Sequence, residues 1–439
     1  MKHKFLSAAI GMCLAFGQAY AYDFAAGGIL YKILSNTNTR KTVAVTYATT
    51  TPDASGYITT YKGDVVIPAQ ASWNMQTFNV TQIGDLAMFN NQSVYSVTLP
   101  EGVSAIGNQT FSHCYSMEYI VIPSTLTRIG DYAFEYCEDL TTISLPANLG
   151  MIGDGAFQQC YGLQSINVDE ENLEFKSVEG VLFSGKSSQS GMTLFVYPGS
   201  RPDPTFSVPE GTKAIDPYAL SANTTLKNLI LPASLKTIGA FAFSECYVLE
   251  FFEVKEGNEN FSSYYGVLFN ADKSTLIQYP CCRPYDTYEV PDGVATLGEM
   301  SFSQMRTITD LTLPATLRHI EPMAFFANDG LQTITCKAEV PPTWSTSPIM
   351  PSAGLFESAV YQSAILRVPA ASVEAYRKAS GWSNFRDIVA IDDAAVSTVE
   401  ADSTAPVESF DLQGRAADSS ARGIIIERRG NTITKTLRR

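Results

Sequence analysis

Residues 140–160 read LTTISLPANLGMIGDGAFQQC, a Leu-x-x-Ile-x-Leu-Pro segment followed by an Ile-Gly-x-x-Ala-Phe-x-x-Cys segment. The same layout stands 23 residues earlier, from Met117 to Cys137, and 23 earlier again, from Val94 to Cys114. In the first half Ile143 and Leu145 carry the period of two of a strand, with Leu140 on the same buried side. Thr141, Thr142 and Ser144 then face outward, and Pro146 ends the strand because it has no N–H for a ladder. In the second half Gly153 permits a tight turn, and Ala156-Phe157 returns an aromatic ring to the interior. One such unit cannot cover its own apolar side. Fixed-period copies stacked at roughly 5 Å bury a continuous core, which is the logic of a leucine-rich-repeat solenoid.

Working outward, the strand proline recurs at Pro68, Pro100, Pro123, Pro146, Pro209, Pro232, Pro291, Pro314 and Pro369. Strands without it lie at 163–168, 249–254 and 331–336, so nine and three make twelve rungs. An insertion follows each proline-free strand, at 169–202, 255–284 and 338–363. The first two share Gly-Val-Leu-Phe, a polar turn and a strand ending in Tyr-Pro, and read as β-hairpins grafted between rungs. The third is rich in Pro and Ser and reads as a loop. The expected fold is mainly β, a solenoid over 68–391 with strands at 22–67 as an N-terminal cap. A short amphipathic helix, with Val373, Tyr376 and Trp382 on one face and Phe385 beside it, closes the other end. Residues 392–406 have a linker's composition, and 407–439 read as a short β tail.

Chain-wide properties limit the function classes. The 439 residues are 45% hydrophobic and 17% charged, with a net charge of −14. An acidic chain of this kind lacks the basic face of a nucleic-acid binder and the attraction to an anionic membrane. Lys2 and Lys4, an apolar run from Phe5 to Phe16, and Ala19-Tyr20-Ala21 form a signal peptide over 1–21. The run is too short to span a bilayer, so the mature chain is expected to be exported with no membrane span.

Seven of the eight cysteines follow residue 21. Cys114, Cys137, Cys160 and Cys246 share one column, each three residues after a Phe, and Asn223 and Asn328 stand there in other copies. Interchange of Cys with Asn points to a small buried group bonding turn backbone rather than to disulfides. The adjacent Cys281 and Cys282 are left open as free or bridged.

The chain resembles the BspA-like leucine-rich-repeat family of exported bacterial proteins. The resemblance rests on Leu-Pro-x-x-Leu-x-x-Ile-Gly-x-x-Ala-Phe at 122–134 (with Ile122 in the first place), 145–157 and 231–243, on the Gly-Val-Leu-Phe…Tyr-Pro hairpins, and on the Val-Pro-Ala…Tyr…Gly-Trp…Phe closing segment. It covers about residues 28–391 and implies a secreted or cell-surface recognition protein of adhesion type, with the periplasm as the other destination. The tail, with Phe410-Asp411-Leu412-Gln413-Gly414-Arg415 and Gly423-Ile424-Ile425-Ile426, is similar to a shortened secretion-sorting tail; a plain β appendage is the competing reading.

No nucleophile–base–acid set, zinc spacing or phosphate loop occurs around His113 or His319, and no enzyme or cofactor is expected. The acidic stretches at 169–171 and 257–260 lack the spaced oxygens of a calcium loop and read as solvated. Binding then falls to the outward strand columns, Tyr95, Glu118 and Thr141 in one, and Ser96, Tyr119, Thr142, Ser165, Asn228, Phe251 and Asp310 in the next. Rows of Thr and Ser are usual on an exposed sheet. Tyr95, Tyr119 and Phe251 are less expected, and aromatics are enriched where interfaces concentrate their energy. Tyr95, Tyr119, Thr142, Asn228, Phe251 and Asp310 are the candidate residues for an extracellular protein or glycan partner, which leaves its identity open. A self-associating envelope scaffold and an accessory role in carbohydrate processing are the alternatives.

Overall fold

The computed structural model describes residues 22–48, 60–185 and 191–391, and, as backbone only, 407–410, 423–429 and 432–438. The expected signal peptide and linker lie outside the described residues. The chain is a mainly β solenoid of about 13 turns. Each turn has three walls: a front strand that ends near the proline, a two- to four-residue back strand at the Ile-Gly position, and a bent wall carrying Ala-Phe. Front strands pair in parallel with equivalent positions in register, as Thr142 does with Ser165 and Asp310 with Thr333. Back strands do the same, Ile106 beside Ile129 beside Ile152.

The bent wall explains how a 23-residue turn closes. Two residues per turn adopt the left-handed region four positions apart, for example Tyr132 (φ 54°) and Tyr136 (φ 55°). Such a backbone costs roughly 1–2 kcal/mol for each non-glycine residue. Hydrogen bonds to the next turn offset it, from Tyr132 N to Asp154 O at 2.9 Å and from Tyr136 N to Gln158 O at 3.0 Å. Between these two points the phenylalanine ring points inward. Phe111, Phe134 and Phe157 stack at 5.3 and 5.4 Å along the axis, fully or almost fully buried. Removing such a ring costs about 3–5 kcal/mol.

The cysteine column behaves as its interchange with asparagine predicts. The thiols of Cys114, Cys137, Cys160 and Cys246 donate to the carbonyls of Met88, Phe111, Phe134 and Leu220 on the preceding turn, at 3.0, 3.2, 3.0 and 3.0 Å. Asn223 donates to Pro198 O at 3.2 Å from the same position, and Asn328 to Phe302 O. Asparagine adds a second service, since Asn223 Oδ1 also accepts from Thr225 N and Leu226 N. All seven described cysteines are free thiols, Cys281 and Cys282 included.

Several expectations change. The first two insertions do not decorate the solenoid; each replaces part of one turn. Their last strands, Met192–Val196 and Thr275–Gln278, join the back ladder, and Tyr197 and Tyr279 donate backbone bonds to Ala219 and Ser301 as the repeat phenylalanines do to the turn ahead. Their turns, Glu179-Gly180 and Tyr265-Gly266, lie over the front strand just before, where Gly180 O and Gly266 O accept from Ile166 N and Phe252 N. The core expected to be continuous therefore divides into three clusters that meet at these hairpins, Leu182 packing with the first cluster and Val181 with the next.

At the C-terminal end the stretch 338–363 is more than a loop. Thr343–Trp344 pairs with His319–Ile320, and Ser358–Ser363 is a helix. The closing segment is not one helix either. Val373–Tyr376 is a four-residue helix, Gly381 turns at φ 78°, and Trp382–Asn384 is a separate 3-10 turn. A Cβ at Gly381 would lie 2.6 Å from Trp344 Nε1, so packing against that indole requires glycine at this turn. Tyr376 and Trp382 are fully buried, their polar ends donating to Ala338 O and Pro342 O at 2.9 Å. Beyond them Asp387–Ala390 adds a front strand beside Ile365–Val368, the turn missing from the twelve counted. The N-terminal strands Phe24–Ala26, Ile29–Asn36 and Lys41–Val45 lead through Gln76–Ile83 into the back ladder. The tail strands Val407–Phe410, Gly423–Arg429 and Thr432–Arg438 form an antiparallel sheet.

Candidate recognition surface

The front wall is where sequence-predicted residues gather, and the inserted hairpin turns interrupt it after Ser165–Val168 and after Phe251–Val254, which leaves three segments. Tyr95 and Tyr119 stand on the first, which pairs Gly63–Val66, Val94–Thr98 and Tyr119–Val121. Thr142 is exposed on the following strand pair, Thr142–Leu145 with Ser165–Val168. Asn228 and Phe251 are direct neighbours across the ladder Thr205, Asn228, Phe251. Asp310 is exposed on the last segment, flanked by Thr287 and Thr333, and accepts from the Thr309 hydroxyl at 2.8 Å. The structure thus places the six on one wall without bringing them into one site.

The three aromatic positions are open to solvent. Tyr95 and Tyr119 of the first segment are 53% and 49% exposed, and Phe251 of the second 41%. Val66, Thr98 and Val121 follow one another across the ladder, and both valines are exposed beside the two tyrosines. These valines were missed by a column reading centred on aromatics; their strand position two residues beyond Asp64 and Tyr119 was the available signal. Ser96, read as outward, is instead buried. It keeps the outward register, pairing across the ladder with the exposed Asp64 and Tyr119, and is covered there, its hydroxyl donating to Asp64 Oδ1 at 2.6 Å.

Phe251 has different surroundings. Gly266 lies over its ring, so close that a Cβ there would be 2.4 Å from Phe251 Cδ2. Tyr264 and Tyr265, next to that glycine, pack edge-on at 4.5 Å and are both exposed. They form a second aromatic group that sequence reading did not single out, although a Tyr-Tyr-Gly turn inside a grafted hairpin was visible.

The titratable groups elsewhere serve packing. The Ser112 hydroxyl lies 2.8 Å from His113 Nδ1 and donates to Glu135 Oε2 at 3.0 Å. The hydroxyl thus sits between imidazole and carboxylate, whereas a nucleophilic relay needs the imidazole in the middle. His113 packs against Tyr136 at 4.6 Å, and burial pushes its pKa down to about 4. His319 Nδ1 lies 2.8 Å from Thr343 Oγ1 in the next back strand. The two acidic stretches hold asparagines that tie the insertions down. Asn172 and Asn258 each donate to two carbonyls of the preceding turn and accept two N–H groups of their own loop. Among the described residues no group of three or more His, Cys, Asp or Glu is placed to hold a metal ion.

Turn length, the hydrophobic column on every wall and the shared bent wall define a leucine-rich-repeat solenoid with an open front sheet. The chain belongs to the BspA-type leucine-rich-repeat family, whose model matches in six copies over residues 71–188, 202–272 and 278–342. Among solved structures it is similar to a leucine-rich cell surface protein of Faecalibacterium prausnitzii, with 20% identity, 77% of this chain and 100% of that chain covered, and a TM-score of 0.43. It is also similar to the pneumococcal vaccine antigen PcpA, with 20% identity, 84% and 98% coverage and a TM-score of 0.45. A leucine-rich repeat protein of Bacteroides ovatus matches at 17% identity, 84% and 91% coverage and a TM-score of 0.38. No curated protein matches.

Proposed function

We propose that this is a non-catalytic, exported recognition protein that binds an extracellular protein or glycan on its front wall. The observation that carries the reading is the first front segment, where Tyr95, Tyr119, Val66 and Val121 stay exposed in adjoining strands. Rigid aromatic rings on a preorganised sheet give contact area at little entropic cost, which is what a binding surface needs. The signal peptide read at 1–21 and the family's cell-surface relatives support export; among the described residues no helix is long and apolar enough to cross a membrane.

The test begins with protease shaving of intact cells, read with an antibody to the mature chain. Exposure supports an external partner. Protection until the envelope is opened sinks the surface reading. For a partner captured afterwards, Tyr95→Ala with Tyr119→Ala should weaken binding by about tenfold or more, the scale of one aromatic hot spot; unchanged binding would remove the front segment from the proposal.

A further inference from the structure

The two inserted hairpins are copies of one unit, and they differ at one place in a way that bears on ligands. Each ends in Tyr-Pro-x-x-Arg, at 197–201 and 279–283, and from that tyrosine the two sequences align without a gap through the front strand that follows. In the first copy Arg201 is buried and neutralised. Its Nη2 lies 2.9 Å from Glu179 Oε2 and 3.0 Å from Asp203 Oδ2, its Nε donates to Glu179 O at 3.1 Å, and its guanidinium stands 5.1 Å from the Phe206 ring centre.

In the second copy the same positions hold Tyr265 for Glu179 and Tyr285 for Asp203. Arg283 is only 8% exposed, and among the described residues its guanidinium has no carboxylate partner. It lies between rings instead, 5.4 Å from the centre of Tyr279 and 5.1 Å from that of Tyr285. The Tyr279 hydroxyl is buried nearby and unpartnered among the described residues, as is the equivalent Tyr197 hydroxyl of the first copy. A guanidinium withdrawn from water is costly unless it is paired, and stacking on aromatic faces offsets only part of that cost. The unit has kept its cation and lost both of its anions.

We propose that Arg283 is a carboxylate-binding site for an acidic glycan. Its planar fork receives the carboxylate of a carboxylated sugar, in the place that Glu179 takes on Arg201 in the first copy. Tyr265 and Tyr285, 74% and 54% exposed, replace Glu179 and Asp203 in the second copy's sequence, and Tyr285, 5.1 Å from the guanidinium, offers a ring face to the apolar side of a pyranose. The exposed Thr287 and Asp310 of the following strands supply hydrogen-bond partners for sugar hydroxyls. A sugar with a single carboxylate suits this surface better than an acidic protein does. The chain carries a net charge of −14, and Glu253 and Asp286 are exposed on the front-wall segments on either side, so an extended acidic surface is repelled where one anion is not.

This inference rests on the recognition reading above and names the ligand class of one part of the front wall. The test titrates the purified mature chain with sialyllactose and with a glucuronic-acid-terminated disaccharide, each against its neutral counterpart, and with an acetylated glutamyl peptide amide. The acidic sugars should bind at least about tenfold more tightly than the neutral ones, and Arg283→Gln should abolish the difference. Tyr265→Glu combined with Tyr285→Asp copies the first hairpin's own neutralisation. It should fold, melt no lower than the parent and lose acidic-sugar binding. Equal binding of acidic and neutral sugars, no binding at millimolar ligand, retained binding in the double variant, or preference for the peptide would each overturn the proposal. None of these readouts depends on where the protein resides, so failure here is separable from failure of the shaving experiment.

Discussion

The hydroxyl of Tyr161 donates to Glu245 Oε2 at 2.5 Å although 84 residues separate them, and Gln159 Nε2 donates to the other carboxylate oxygen at 3.0 Å. Between them in the sequence lies Gly199, where a Cβ would stand 2.8 Å from Cys160 O and 3.1 Å from Ala222 O, so the backbone is closely packed at that point. The Gln304 side chain in turn accepts from Glu245 N at 3.0 Å. This half-buried network clamps the first, second and third core clusters together on the bent wall.

Glu245→Ala should therefore destabilise the protein by about 1–3 kcal/mol, because it strands the Tyr161 hydroxyl and the Gln159 amide. Urea unfolding of the mature chain reads this directly. A midpoint unchanged within error would show that the clamp contributes nothing.

Thiol chemistry should sort the cysteines by wall. Burial pushes Cys114, Cys160 and Cys246 up to about 12 and Cys137 well above its ordinary value, so all four are poor nucleophiles in the native state. Cys282 is only half-buried, and a hydrogen bond from Cys281 together with nearby Arg306 lowers its pKa while that of Cys281 is raised. Iodoacetamide labelling followed by peptide mapping should find Cys282 modified first. Early labelling of the column cysteines would contradict the buried geometry.

Acid should weaken the fold through His113. Its folded pKa, about 4, lies below the unfolded value of about 6.5, so the unfolded chain binds the proton first as pH falls. Stability from this residue is complete above pH 6.5 and is lost between there and about 4. Asp216 acts in the opposite sense: burial, then the charge of Asp154, raises it to about 6, and the folded state takes up its proton first. His113→Asn isolates the histidine, since Asn90 already holds the same left-handed position one turn earlier (φ 52°). The variant should lose less stability than the parent between pH 7 and pH 5 in matched urea titrations. Equal losses would assign the acid sensitivity elsewhere.

Gly266→Ala should cost about 1–2 kcal/mol, since φ 78° disfavours a side chain and the new methyl collides with Phe251. Phe251→Ala in the same chain should return part of that loss, as expected for two residues in contact. Strict additivity in thermal melts would mean that hairpin and ring do not touch.

What the sequence by itself determined is whatever one turn asks of the next. Leu140, Ile143, Leu145 and Phe157 meet their own equivalents 23 residues away, so period, solenoid class and the Cys–Asn column were legible from spacing alone. The candidate residues Tyr95, Tyr119 and Phe251 were likewise readable as outward-facing, because strand alternation is local. Tertiary structure decided what breaks the period. Neighbouring side chains cover Ser96 in its outward register, the closing segment turns at Gly381 against Trp344, and the insertions turned out to be partial turns whose tips lie on the front wall. The pairing of Glu245 with Tyr161, and the contrast between neutralised Arg201 and unpaired Arg283, belong to the same class. Such contacts depend on how far an insertion advances the stack, and that distance is set by its folded shape, which no repeat spacing records.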